Sequence, residues 1–139
     1  MTSNPIKVLL ITPIERDVRR LQGVVSVPGA SHGELTPVFD VGAAFRRLSD
    51  VRFDAILLDL AVAHTHPLEP LWRMHEHAPD VPIIVLTSME DETLAVRALK
   101  AGAQDSLVKG QIDGNLLTRA IRYAIERHQL QMALHAMSL

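Results

Sequence analysis

Apolar positions along the chain alternate between runs of strand length and stripes of helical spacing. IKVLLI (6–11) is an unbroken apolar run, save for Lys7, bounded by Pro5 and Pro13. Over 14–25, Ile14, Val18, Leu21 and Val25 recur at spacings of four, three and four with Arg16, Arg19 and Arg20 between them, which predicts an amphipathic helix. SVPGASHGE (26–34) is a turn cluster, and Glu34–Phe39 reads as a short, more polar strand. Asp40 suits the N-cap of a short helix, VGAAFRRL. Asp54–Leu60 is a near-continuous apolar run, the pattern of a strand covered on both faces. Ala61–His66 reads as a loop, and Pro67 suits the first turn of a helix reaching about His77. A strand over Pro82–Thr87, a helix over 90–101 closed by Gly102, a strand over Gln104–Lys109 and a long helix from 113 to about 136 complete the pattern.

Strands alternating with helices imply parallel pairing through right-handed crossovers. Five such units predict an α/β fold, a flavodoxin-like (βα)5 three-layer sandwich with sheet order 2-1-3-4-5 and an extended C-terminal helix. One domain is expected over 1–125, with 126–139 as the start of a helical linker. At 139 residues, 47% hydrophobic and 22% charged, the composition is that of a soluble globular protein. A net charge of −2 without a long basic run gives no electrostatic footprint for nucleic acid. The chain has no cysteine, which excludes disulfides and thiolate metal sites. No apolar run is long enough to span a bilayer, and MTSNPIK lacks the order of a signal peptide. The expectation is a cytoplasmic protein with neither membrane nor nucleic-acid partners.

In open parallel sheets, chemistry gathers at the carboxyl ends of the strands. Here those ends carry Thr12, Asp59, Thr87 and Lys109. Asp59 alone would read as a loop or capping carboxylate; beside a strand-end hydroxyl and a strand-end lysine it forms a specific set. FDAILLDL (53–60) together with VPIIVLTSMEDETLAVRALKAGAQDSLVKG (81–110) resembles the receiver domain of two-component response regulators, over about residues 6–125. The resemblance implies that Asp59 is the phosphoacceptor position, Thr87 the switch hydroxyl and Lys109 the partner of the phosphoryl charge. It further implies a histidine kinase as phosphodonor. The carboxylate would act as nucleophile, with Mg²⁺ and the lysine neutralising charge.

The same resemblance exposes departures. Receivers hold Mg²⁺ with an acidic pair after the first strand, and this chain has Thr12-Pro13 there, leaving only Asp59 as a metal ligand. Thr12-Pro13-Ile14-Glu15 instead reads as a capping box, with the Thr12 hydroxyl accepting from the Glu15 amide and Glu15 reaching back to the Thr12 amide. Glu15 as a replacement metal ligand would have to do two jobs. Ala63-His64 and Pro67 stand where relatives carry Pro-Asp and Gly, and Ser106 stands where many have an aromatic. Losing a Lewis acid removes several kcal/mol of stabilisation, and each ~1.4 kcal/mol is about tenfold in rate. The expectation is therefore a degenerate, phosphorylation-independent or weakly phosphorylated receiver, not itself an enzyme, with no cofactor. A working Mg²⁺-dependent receiver phosphorylated on Asp59 is the alternative. A small-ligand flavodoxin-like protein is a distant third, since no phosphate-cradling Gly-rich loop is present.

Two features remain. His75 and His77 lie two apart on a helix and do not share a face, whereas the loop pair His64 and His66 could chelate beside Asp59; a solvated loop is the simpler expectation. On the last helix Leu130, Leu134 and Met137 continue an apolar stripe past the point where a compact receiver ends. The tail AIRYAIERHQLQMAL is similar to segments leading into GGDEF diguanylate cyclase or histidine-kinase domains. It suggests an attached output domain and a homodimer through the helix, with regulation by protein–protein contact.

Overall fold

The computed structural model describes residues 5–25, 33–88 and 91–138. Strands β1 (Ile6–Ile11), β2 (Gly33–Val38), β3 (Ala55–Asp59), β4 (Ile83–Thr87) and β5 (Asp105–Val108) form one sheet in the order β2-β1-β3-β4-β5. Every pairing is parallel, and β1 sits in the middle of its two neighbours with Leu10 opposite both Pro37 and Leu57. The expected fold class and strand order are those observed.

Period-two alternation sends the central strands' side chains to two cores. Leu9, Ile11, Ile56, Leu58, Ile83 and Val85 meet helices α2 (Val41–Asp50), α3 (Glu69–His77) and α4 (Glu92–Lys100). Val8, Leu10, Ala55, Leu57, Ile84 and Leu86 meet α1 (Glu15–Val25) and α5 (Gly114–Met137). β3 and β4 are buried throughout, as their unbroken apolar runs required.

Local chemistry sets the helix ends. Asp40, Asp91 and Asp113 each accept the amide three residues on, from Ala43, Leu94 and Leu116. Gly102, at φ 112°, closes α4, with Ala103 N–H donating to the Ala98 carbonyl as a Schellman turn requires. The predicted boundaries shift by a residue or two at β2, β3, α4 and β5. Two departures have a physical cause. Leu60, expected to end the strand, and Ala61 and Val62, expected as loop, form a 3-10 turn capped by Asp59. Helix α3 starts at Glu69 with Pro70 in its first turn, so Pro67 lies outside it, in the loop where Leu68 N–H donates to His66 Nδ1. Most of the turn cluster 26–34 lies outside the described residues.

Helix α5 outruns the sheet. Leu117, Ala120, Ile121 and Ala124 are buried against β-strand side chains, but Leu130, Leu134 and Met137 are 64%, 65% and 82% exposed. At its emergence the helix is braced: Arg127 donates to the carbonyl of Gln104 (2.9 Å) and to its side chain (3.3 Å), and Gln104 Nε2 donates to Gln131 Oε1 (2.7 Å). No described helix is long and apolar enough to cross a membrane.

Candidate functional site

β1, β3, β4 and β5 all end at one edge of the sheet, and the residues at or just beyond those ends, Thr12, Asp59, Thr87 and Lys109, are the buried polar and charged residues of the described chain. Register explains the convergence: Ile11 lies opposite Leu58, Asp59 opposite Leu86, and Thr87 opposite Val108, so each strand delivers its last side chain to the same rim.

Asp59 is 1% exposed, and its carboxylate is heavily engaged. Oδ2 accepts from the Thr12 hydroxyl at 2.7 Å and from Lys109 Nζ at 2.8 Å, while Oδ1 accepts from the Ala61 amide at 2.9 Å. Charge-assisted bonds of this kind are the strong ones, and a buried carboxylate needs them. Thr87 is 7% exposed at the end of β4 and has a bonding partner of its own. Ser106, half-buried on β5, donates its amide to the neighbouring Asp105 Oδ1 at 2.8 Å.

Sequence reasoning missed Asp17. Its Oδ2 accepts from Lys109 Nζ at 2.9 Å, so one ammonium bridges two carboxylates carried by α1 and β3. A signal was there to read: Ile14, Asp17, Val18 and Leu21 follow the i, i+3, i+4, i+7 pattern, which places Asp17 on the apolar face of α1, turned toward the sheet. Burial disfavours the charged form of Lys109, but hydrogen bonds and charge from Asp59 and Asp17 outweigh it and raise its pKa above the ordinary lysine value.

The capping-box expectation for Thr12 is overturned. Helix α1 begins at Glu15, and the Ile14 carbonyl accepts its first bonds, from Asp17 N–H and Val18 N–H. Thr12 Oγ1 accepts from the Ile14 amide (3.2 Å), not that of Glu15, and gives its proton to Asp59. The Thr12 amide is committed to the Val38 carbonyl in the sheet (3.0 Å), which leaves Glu15 nothing to cap. Glu15 itself is exposed. Thr12 thus belongs to the strand-end cluster, bonded to Asp59.

The residues present do not fit a divalent cation as they stand. Thr12 and Pro13 offer no carboxylate, Thr12 turns its proton and not a lone pair toward the site, and an ammonium fills the position between Asp17 and Asp59. Among the described residues no three His, Cys, Asp or Glu side chains gather as a metal group. His66 is drawn away from its loop partner: its ring stacks on Trp72 (centroids 4.7 Å apart), Nδ1 accepts from Leu68 N–H, and Nε2 faces Arg97 at 3.2 Å. His64 is exposed.

Comparison with known proteins agrees with this architecture. Residues 30–122 match the response regulator receiver domain family. The regulatory protein AtoC of Escherichia coli is 30% identical over 102 residues, 73% of this chain and 22% of that protein. LuxO of Vibrio cholerae is 41% identical over 56 residues, 40% of this chain and 12% of that protein. The chain thus spans well under a third of the curated relatives it matches. Among solved structures, the receiver domain of an HD domain-containing protein from Pseudomonas fluorescens superposes with a TM-score of 0.76 at 25% identity, covering 91% of this chain and 98% of that one. With the family match extending over more than half its length, the chain is a member of the response regulator receiver family, a bacterial signalling module of two-component systems.

Proposed function

We propose that this receiver signals without depending on phosphorylation of Asp59, and that it regulates an output domain by contacts made through its last helix. The observation that carries this reading is the state of Asp59: buried, with Oδ2 taken by Thr12 and Lys109 and Oδ1 by Ala61. A nucleophile must present a free lone pair to an incoming phosphorus atom, and in-line attack here needs both a bond broken and an approach opened. Acyl phosphate formation also calls for charge neutralisation beyond one lysine, and the acidic pair that would recruit a metal is replaced by Thr12-Pro13.

The competing reading, a working Mg²⁺-dependent receiver with a histidine kinase as donor, is favoured by one feature: Asp59, Thr87 and Lys109 do converge, with Lys109 held in its charged form. A receiver-containing response regulator from Burkholderia pseudomallei, with the same fold at 22% identity and a TM-score of 0.70, carries a phosphorylated aspartic acid and a calcium ion. Incubation with acetyl phosphate and Mg²⁺, read by intact mass, separates the two. The expected result is no adduct on the wild type and a partial adduct on a variant carrying Thr12→Asp and Pro13→Asp. Equal phosphorylation of both proteins would sink the first reading.

On the output side, residues 1–125 act as the sensing body and 126–139 as the start of a linker that pairs two copies. The exposed stripe Leu130, Leu134, Met137 supports this, because such a surface is poor for a lone helix in water. About fourteen residues at 1.5 Å each carry the stripe roughly 20 Å along the axis. The tail's resemblance points to a GGDEF or histidine-kinase output, and the relatives named as transcriptional regulatory proteins add transcriptional control as the rival type. Fusing the chain in frame to a diguanylate cyclase domain, with and without residues 127–139, tests the linker: equal product from both fusions would count against it.

A further inference from the structure

The Lys109 ammonium stands between two carboxylates from different elements, 2.9 Å from Asp17 Oδ2 on α1 and 2.8 Å from Asp59 Oδ2 at the end of β3. We infer that Lys109 is the resident cation of this site, held in place by Asp17, and that it does permanently what a divalent ion does reversibly in receivers with an acidic pair. The inference deepens the phosphorylation-independent reading and rests on it.

Three observations lead there. First, Asp17 is not a surface carboxylate that happens to be near: its side chain is 13% exposed and sits on the buried face of α1. A carboxylate so placed needs a positive partner, and Lys109 is the cation the structure gives it. Second, the other groups around Asp59 are donors and not metal ligands. Thr12 gives its proton to Oδ2 and uses a lone pair on the Ile14 amide, and Ala61 offers only N–H. Third, the lysine cannot leave cheaply: its side chain is 9% exposed, and its departure would strand two carboxylates, 13% and 1% exposed, without a counter-charge. Asp17 is thus a positioning residue: it touches Lys109, and through it fixes what Asp59 faces.

Two consequences separate this arrangement from an ordinary receiver with a weak metal site. In the wild type Mg²⁺ has no vacancy to enter. With the ammonium removed, two carboxylates face one vacated position, which is the minimum anchor Mg²⁺ or Mn²⁺ uses when waters complete its octahedron. Lys109→Ala should therefore gain metal affinity, at least tenfold above wild type, and lose that gain when Asp17→Asn is added.

The test has two arms. In the wild type, the ¹⁵N-labelled ammonium of Lys109 should give a solvent-protected resonance at neutral pH that low-millimolar Mg²⁺ leaves in place. Asp17→Asn should shift or abolish it while the amide spectrum stays folded. In the second arm, Mn²⁺ titration should raise the Tm of Lys109→Ala in a saturable way and leave wild type and Lys109→Ala/Asp17→Asn unmoved. Displacement of the wild-type lysine resonance by Mg²⁺, or an Asp17→Asn protein with the resonance unchanged, overturns the inference. So does a folded Lys109→Ala protein that ignores Mn²⁺; if that variant does not fold, the ammonium spectra decide alone. Acetyl phosphate labelling of Asp59 with an undisturbed Lys109 signal would instead remove the phosphorylation-independent reading and leave the resident cation standing.

Discussion

Asp59 and Leu134 lie toward opposite edges of the same sheet, and the fold treats them in opposite ways. At the carboxyl edge a charged group is buried to 1% exposure and supplied with donors from three elements, so it asks nothing of the surroundings. Toward the amino edge an apolar side chain is left 65% exposed on a helix with no sheet beneath it. In a phosphorylation-driven switch the polar edge would be the unsatisfied one, waiting for metal and phosphate. On the function proposed above, the unmet requirement lies on the helix, and a partner surface, not a small ligand, would complete the molecule.

The strongest way to break that contrast is at Lys109. Lys109→Met leaves Asp59 and Asp17 facing each other without a counter-charge. Removing one member of a buried ion pair costs about 3–5 kcal/mol, to be read as a lower urea midpoint at pH 7. The raised lysine pKa gives the pH dependence its sign. A group whose folded pKa lies above its unfolded value contributes fully below the unfolded value, and its contribution fades as pH climbs through the folded one. On the lysine's side, this ion pair should hence leave stability flat across neutral pH and lower it as pH climbs above the ordinary lysine value of 10.5. A loss between pH 6 and 9 that vanishes in Lys109→Met would contradict the sign.

The helix edge comes next. Leu130→Ala with Leu134→Ala should weaken self-association by at least roughly a hundredfold, since burying each such side chain is worth about 1.5–3 kcal/mol, two are lost, and each ~1.4 kcal/mol is tenfold. Sedimentation of wild type, the double variant and a chain ending at Glu126 measures it; identical monomers throughout at high micromolar concentration would show that the stripe frays instead of pairing.

Thr12→Val sharpens the carboxyl edge. It keeps the shape and removes the proton given to Asp59, so about 1.5–3 kcal/mol is expected to be lost, the range for a hydrogen bond to a charged group. An unchanged denaturation midpoint would mean that Lys109 alone satisfies Oδ2. The smallest effect belongs to Arg127→Ala, roughly 0.5 kcal/mol because its partner Gln104 can turn to water; its mark should be on the order of the helix beyond residue 127, seen as faster amide exchange there.

How much of this was legible in the residues follows from what each depends on. The β3 and β4 runs and the Asp40, Asp91 and Asp113 positions announce their elements because burial on both faces and capping are local properties of the sequence. The strand-end set Thr12, Asp59, Thr87, Lys109 follows once the sheet is parallel, since a common rim is a topological result. Thr12 misled because Thr-Pro-x-Glu satisfies a local capping pattern, yet a hydroxyl within reach of a buried carboxylate is drawn to the charge. Asp17 lies outside the positions where the acidic pair is missing, yet a carboxylate within an apolar stripe is itself a mark of a buried partner. No local pattern could pair Asp17 with Lys109, 92 residues away along the chain.

The clasp formed by Arg127, Gln104 and Gln131 makes α5 a shaft keyed to the body at the start of β5. A keyed shaft transmits rotation. Each residue advances an α-helix by about 100°, so whatever continues the helix past Met137 inherits an angular phase set at Gln104. Inserting seven residues after Gln131 would return a following segment to within about 20° of its original bearing, whereas three or four would leave it off by roughly 40–60°. Tolerance of sevens and intolerance of threes would be the imprint of torque passing along this helix.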